Sequence, residues 1–176
     1  KWARLPRFAR TQKEQFGISD AYGDGFHRLG VDRWLAMLGC LDIGVAPTQQ
    51  LCVVDCGTAI TLDLLSVRGS HEGGYIIPGL TMMRESLFQH TANVRHDPLP
   101  GDAISPGKST AEAVEHGALL AVISLVERLV SGPDKLLVLT GGDAFRLVPM
   151  LTCPYREEPH LLLKGLQRYF SDAGIS

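Results

Sequence analysis

The 176-residue sequence predicts an α/β domain, a mixed sheet covered by helices, and three observations carry that prediction. Two short apolar runs flank a Gly57-Thr58 turn between Leu51 and Ser66, which reads as a β-hairpin. A third strand, Tyr75-Ile76-Ile77, stands between the Gly73-Gly74 pair and a Pro78-Gly79 turn. Beyond it, helical and strand-like segments alternate to the C-terminus, so an antiparallel trio is extended by helix-covered strands.

Taken in order, residues 1 to 29 are polar and loop-rich, broken by Pro6, Gly17, Gly23 and Gly25. From Val31 the period turns helical, with Val31, Trp34, Leu35, Leu38 and Leu41 or Ile43 on one face. Ala46-Pro47-Thr48 ends that element and marks a boundary between two lobes. After the three strands, a helix is expected from about Leu80 to Thr91 with Leu80, Met83 and Leu87 inward. Residues 92 to 107 are loop, punctuated by Pro98, Pro100 and Pro106. Ser109-Thr110-Ala111-Glu112 matches a capping box and opens a long apolar helix to about Val130. A helix apolar on almost every side packs in the core or against a partner subunit. Lys135 to Thr140 reads as a buried strand running into Gly141-Gly142-Asp143. A helix from Phe145 to Met150, a short strand near Cys153 to Tyr155 and an amphipathic helix from His160 to Phe170 follow. This is the layout of an RNase-H-like lobe, the unit that actin, hexokinase and Hsp70-type ATPases use twice. Residues 1–46 are then expected to be the tail of a first lobe, and 47–176 a complete second one.

Composition narrows the function classes. The chain is 45% hydrophobic and 20% charged, with a net charge of −2, enough for a real core and without the basic excess that tracks a nucleic-acid backbone. Its most apolar stretch, residues 118 to 126, is too short to cross a bilayer, and no signal peptide is visible. Cys40, Cys52, Cys56 and Cys153 form no C-x-x-C pair, which points to reduced core thiols in a cytoplasmic protein. The six histidines make no metal-binding pattern. The chain starts at Lys1, in what reads as the middle of a domain, so an N-terminal part is expected to precede it.

The hairpin turn carries unusual chemistry. Asp55 is a hard oxygen ligand at a strand end, Gly57 allows close backbone approach, and Thr58 adds a hydroxyl. Successive backbone N–H groups in such a turn suit a phosphate, and the carboxylate suits its counter-cation. Asp-x-Gly-Thr alone is equally compatible with an ordinary hairpin turn. Likewise Asp32, at the start of its helix, reads on its own as an acid complementing the dipole. Gly107-Lys108-Ser109-Thr110 imitates the end of a P-loop, but Asp102 occupies the upstream glycine position and prolines replace the preceding strand.

Together these segments resemble the type III pantothenate kinases, including the related Bvg accessory factor proteins. The matching residues are Leu29-Gly30-Val31-Asp32-Arg33-Trp34, Val54-Asp55-Cys56-Gly57-Thr58-Ala59, Gly73-Gly74-Tyr75-Ile76-Ile77-Pro78-Gly79 and Thr91-Ala92. Ser109-Thr110, Glu112-Ala113-Val114 and Thr140-Gly141-Gly142-Asp143-Ala144 complete the set, whose order and spacing cover nearly the whole chain. The resemblance implies phosphoryl transfer from ATP to the terminal hydroxyl of pantothenate, producing 4'-phosphopantothenate for coenzyme A. It implies Asp32 as general base, with Gly30, Val31 and Arg33 lining the pantothenate site. Asp55 would help to hold a monovalent cation, potassium or ammonium, beside the magnesium that accompanies ATP. Thr58 would contact ATP, and Thr110 and Tyr22 pantothenate. It further implies a cytoplasmic homodimer that engages neither nucleic acid nor membrane. On chemical grounds, Arg33 could meet a substrate carboxylate in a fork.

One element of the family pattern is missing. Its members carry a first-lobe Asp-x-Gly-Asn-Thr loop that grips the ATP phosphates, and here only Asp42-Ile43-Gly44 comes near, without the threonine and after a helix. The chain alone is therefore expected not to turn over ATP at a normal rate. The alternative is a non-catalytic nucleotide-binding regulator of the same fold. Retention of both Asp32 and Asp55 favours the enzyme, since a pure binding module needs no base.

Overall fold

A computed structural model of the chain describes residues 29–44, 48–90 and 101–173. Tyr22, Thr91, Ala92 and the expected Ala46-Pro47 boundary lie outside them.

Five strands form one mixed sheet. Strands β1 (Gln50–Cys56), β2 (Ala59–Leu65) and β3 (His71–Pro78) are an antiparallel meander. Strands β4 (Lys135–Thr140) and β5 (Tyr155–Glu157) add in parallel on the far side of β1, giving the order β3-β2-β1-β4-β5. β1 is thus central, and its Leu51 to Val54 run is buried on both faces. β3 extends four residues upstream of Tyr75, and β5 begins at the end of its predicted range.

The helices divide between the two faces. Helix α1 (Val31–Cys40) and the C-terminal helix α5 (Leu161–Asp172) cover the face carrying Leu51, Val53, Leu65 and Val138. Trp34 meets Tyr169 edge-on, with ring centroids 5.8 Å apart. The two helices approach closely because glycines meet there: a Cβ on Gly165 would sit 2.8 Å from the Leu35 carbonyl carbon and 3.1 Å from Gly39 N. Residues on both sides of position 46 therefore share one core.

The opposite face, with Cys52, Val54, Ile60, Leu62, Leu137 and Leu139, is covered by α3 (Thr110–Leu129), joined by Leu80 of α2 (Leu80–His90) and Leu147 of α4 (Ala144–Leu147). The predicted cap forms with its return bond one residue early: Ser109 Oγ accepts from Glu112 N (3.2 Å), and Glu112 Oε2 accepts from the N–H of Lys108, just before the cap (2.6 Å). A short 3-10 turn, Val148–Met150, completes the region read as one helix from Phe145. Leu87, expected inward, is exposed; on α2 it is Leu80 that is buried in this core, with Met83 half-buried against it. Leu120 is exposed as well, so α3 is apolar beyond the stripe that the core uses.

Residues 101–106, which lead into Gly107, form no strand, and at position 102, where a P-loop needs glycine, Asp102 is held by Arg146 (Nε to Oδ1 3.0 Å), which disfavours the P-loop reading. The four cysteines are free; burial pushes the Cys52 and Cys56 thiols up to about 12, with nearby carboxylates adding to it. Among the described residues no helix is long and apolar enough to cross a membrane.

Candidate functional site

The site is built where α1 begins over the end of β1. Side chains alternate across a strand, so Asp55 shares the α1 face with Leu51 and Val53. Asp55 stands opposite Thr61 on β2 and Thr140 on β4. Gly30 precedes α1, and its carbonyl accepts the first helical bond from Trp34 N (3.0 Å). Asp32 lies in the first turn with its side chain in solvent, turned back toward Gly30. A Cβ on Gly30 would come within 2.5 Å of Asp32 Oδ1, so the glycine leaves room for the carboxylate.

Asp55 feels the charge of Asp32. Burial raises the Asp55 carboxyl above its ordinary value, and the negative charge of Asp32 raises it further. The charge on the first turn of α1 thus acts on the carboxylate at the end of β1. The turn after β4 packs against the same point. Gly141 has φ +94°, and a Cβ there would lie 2.5 Å from Asp55 Oδ1 and from Cys56 N; Asp143 N donates to Cys56 O (3.0 Å). Thr58 is exposed at the hairpin tip, where Gly79 N donates to its carbonyl (2.9 Å).

Arg33 points the other way from Asp32, into the protein. Its guanidinium forks onto Asp63 of β2, with Nε to Oδ2 at 2.9 Å and Nη2 to Oδ1 at 2.5 Å. His71 Nε2 reaches the same Oδ1 at 2.7 Å, and all three side chains are buried. The fork that the sequence offered to a substrate carboxylate is thus engaged by Asp63. Burial works to raise the Asp63 carboxyl, but the hydrogen bonds from His71 and Arg33 prevail and hold it below its ordinary value. Asp63 went unassigned in the sequence; a lone acid at an inward position of an apolar strand was the available signal.

Thr110 belongs to the other layer. It is exposed at the start of α3, in the layer opposite the one that α1 and Asp32 belong to. Asp42 is bound by Arg168, and Ile43 O accepts from Arg156, so the Asp42-Ile43-Gly44 string ties α1 to the β5–α5 region.

A cation fits the donor set at Asp55. The carboxylate carries negative charge that its surroundings disfavour, and a positive ion would relieve it. Among the described residues no group of three or more acidic, histidine or cysteine side chains could hold a metal, so protein ligands alone do not enclose one. One or two carboxylates completed by phosphate and water oxygens is the arrangement that nucleotide-bound magnesium takes.

Comparison with known proteins bears on this geometry. The family model described as type III pantothenate kinase matches residues 1–132. A type III pantothenate kinase of Nitrosococcus oceani is 37% identical over 97% of this chain and 67% of its own length. One from Acinetobacter baumannii is 38% identical over 97% of this chain and 68% of its own. A Campylobacter jejuni crystal structure, described as a Baf family transcriptional activator, superposes with a TM-score of 0.68 at 24% identity, covering 92% of this chain and 71% of that one. That last likeness is one of fold.

Proposed function

The chain belongs to the type III pantothenate kinase family, and from that premise we propose how its residues phosphorylate pantothenate with ATP, a step in coenzyme A biosynthesis. ATP and a divalent metal come with the family. The observation that supports the residue assignment is that Asp55, on the sheet face that α1 covers, lies within electrostatic reach of Asp32 in the first turn of α1.

In this reading Asp32 accepts a hydrogen bond from the pantothenate hydroxyl and takes its proton as the new P–O bond forms. A carboxylate serves here because the transition state is loose and placement within hydrogen-bond reach matters more than basicity. Gly30 keeps space for that carboxylate, and Val31 lines the substrate side of the turn. Thr58 presents its hydroxyl and the hairpin backbone toward the ATP phosphates. Asp55 would hold a cation, a monovalent ion such as potassium or ammonium, beside the magnesium on the phosphates. That positive charge would neutralise charge developing on the transferring group. Arg33 lies on the buried side of the same turn, and its part is taken to be support of Asp32.

Thr110 is proposed to reach pantothenate across a dimer. It lies in the layer opposite Asp32, and Met82, Leu87 and Leu120 expose apolar surface on the α2–α3 side. Two copies meeting there would supply what one lacks. Tyr22 is kept as a further pantothenate contact on the resemblance alone. The protein is proposed to work in the cytoplasm, without nucleic acid or membrane. The regulator reading is not favoured, because relatives at this identity are kinases and both acids are present.

A coupled assay tests the reading. The natural full-length protein with ATP, magnesium, potassium and pantothenate is expected to release ADP in a pantothenate-dependent way. Asp32→Asn should lower kcat by about 10²–10⁴. Pantothenate-independent ADP release, or an Asp32→Asn variant at full rate, would remove Asp32 as base.

A further inference from the structure

We propose that Asp63 is the positioning residue for Asp32, acting through Arg33, and that His71 and Gly74 complete the device. The inference rests on Asp32 being the general base.

Three elements converge on Asp63. From α1 comes the Arg33 fork, at 2.9 and 2.5 Å. From β3 comes His71, with Nε2 2.7 Å from Oδ1. A carboxylate accepts only, so the His71 nitrogen facing it carries the proton. A register shift in the β2–β3 pairing aims that histidine. Leu64 stands opposite Gly73 but Leu65 opposite His71, so one extra residue, Glu72, bulges out of β3. The bulge turns His71 onto the α1 face that Leu65 and Asp63 share. Gly74, directly opposite Asp63, supplies the space; a Cβ there would lie 2.6 Å from Arg33 Nη2 and 2.7 Å from Asp63 Oδ1.

The spacing explains what the device does. Asp63 is two residues along β2 from Thr61, the residue opposite Asp55, which is about 7 Å on the same face. Arg33 is fastened at the Asp63 rung, and the adjacent Asp32 stands within electrostatic reach of Asp55. A planar fork with two bonds fixes direction as well as distance, where a lysine would fix distance alone. The first turn of α1 starts at a glycine with no side-chain cap, so this buried pair anchors it where capping does not. With the pair intact, Asp32 cannot slide along or roll over β2. A shift of about 1 Å in a reacting group is enough to cost on the order of 10²-fold in rate.

The test uses Asp63→Glu, Asp63→Asn, Asp32→Asn and the Asp32→Asn/Asp63→Asn double variant of the natural full-length protein. Pantothenate-dependent ADP release gives kcat and KM, and circular dichroism melts give the folded fraction. Asp63→Glu keeps the charge and the buried pairing while lengthening the arm by one methylene. It is expected to lower kcat about tenfold with KM for ATP within about twofold. The double variant is expected to be no slower per folded molecule than Asp32→Asn alone, because a misplaced base costs nothing once the base is gone. An Asp63→Glu variant at wild-type kcat would overturn the proposal. So would a double variant in which the two losses multiply, since that marks a general structural defect. If Asp32→Asn keeps full kcat, the base assignment fails and the inference with it. If Asp32→Asn is slow while Asp63→Glu is normal, the inference fails alone.

Discussion

Asp55 and Asp63 lie on neighbouring strands and one sheet face, and their surroundings push their carboxyls in opposite directions. Asp63 is held below its ordinary 3.8, so the unfolded chain binds its proton more tightly. Its stabilisation is present above that value and is lost as pH falls through the folded pKa. Asp55 is raised above 3.8 by burial first and Asp32 second, and the sign reverses. Relative stability is greatest below 3.8 and declines as pH rises through the folded value. Melting profiles from about pH 3 to 7 in cation-free buffer should therefore separate two variants. Asp55→Asn gains on wild type as pH rises through the Asp55 transition, whereas Asp63→Asn loses ground as pH rises toward about 4. Parallel profiles would contradict both assignments. The sequence made Asp55 readable, because an acid ending an apolar run before Gly-Thr is conspicuous. It did not make Asp63 readable, because nothing local says that Arg33, thirty positions away, is its partner.

At the scale of elements, the crossing of α1 and α5 decides where Asp32 stands over the sheet. Gly39 and Gly165 let these helices approach, and a Cβ at 165 would strike the α1 backbone, which cannot rotate aside. Alanine there gains about 1 kcal/mol of helix propensity. Overpacking costs about 1–3 kcal/mol, and the backbone contact puts this case at the upper end. Gly165→Ala is thus expected to lower stability by about 1–2 kcal/mol, read as a reduced urea midpoint with an unchanged m-value. A midpoint at or above wild type would show that the helices part freely. The strands and the long capped helix were legible from alternation and from Ser109-x-x-Glu112, both local signals. The glycine crossing was not, since each glycine alone reads as a helix weakness and only their meeting explains them. The Leu87 expectation failed for a related reason: helical period marks a face, and the neighbours decide how far along that face the core extends.

For the whole molecule, the mixed sheet sorts chemistry by layer. Asp32 and Asp55 belong to the α1 layer, and Thr110 to the α3 layer. In the proposed dimer, two copies would meet at the side where Met82, Leu87 and Leu120 are exposed, and a site drawing on both layers would be served by both copies. Light scattering is expected to give twice the chain mass for the full-length protein and about one chain mass for Leu120→Glu, with pantothenate turnover falling together with the dimer. A monomeric wild type at full activity would contradict that arrangement. No local pattern in the sequence shows which layer a helix joins, so the placing of Thr110 and Asp32 in opposite layers emerged only from the packed sheet.

The central claim, that Asp32 and Asp55 share one cleft, is tested most directly by titrating the Asp55 carboxyl. Carbon-13 NMR of selectively labelled aspartate, in cation-depleted buffer, would follow Asp55 in the wild type and in Asp32→Asn. Removing the neighbouring charge should bring the Asp55 pKa down toward its ordinary 3.8, while burial keeps it above that value. An Asp55 titration indifferent to Asp32→Asn would mean that the two acids do not face each other.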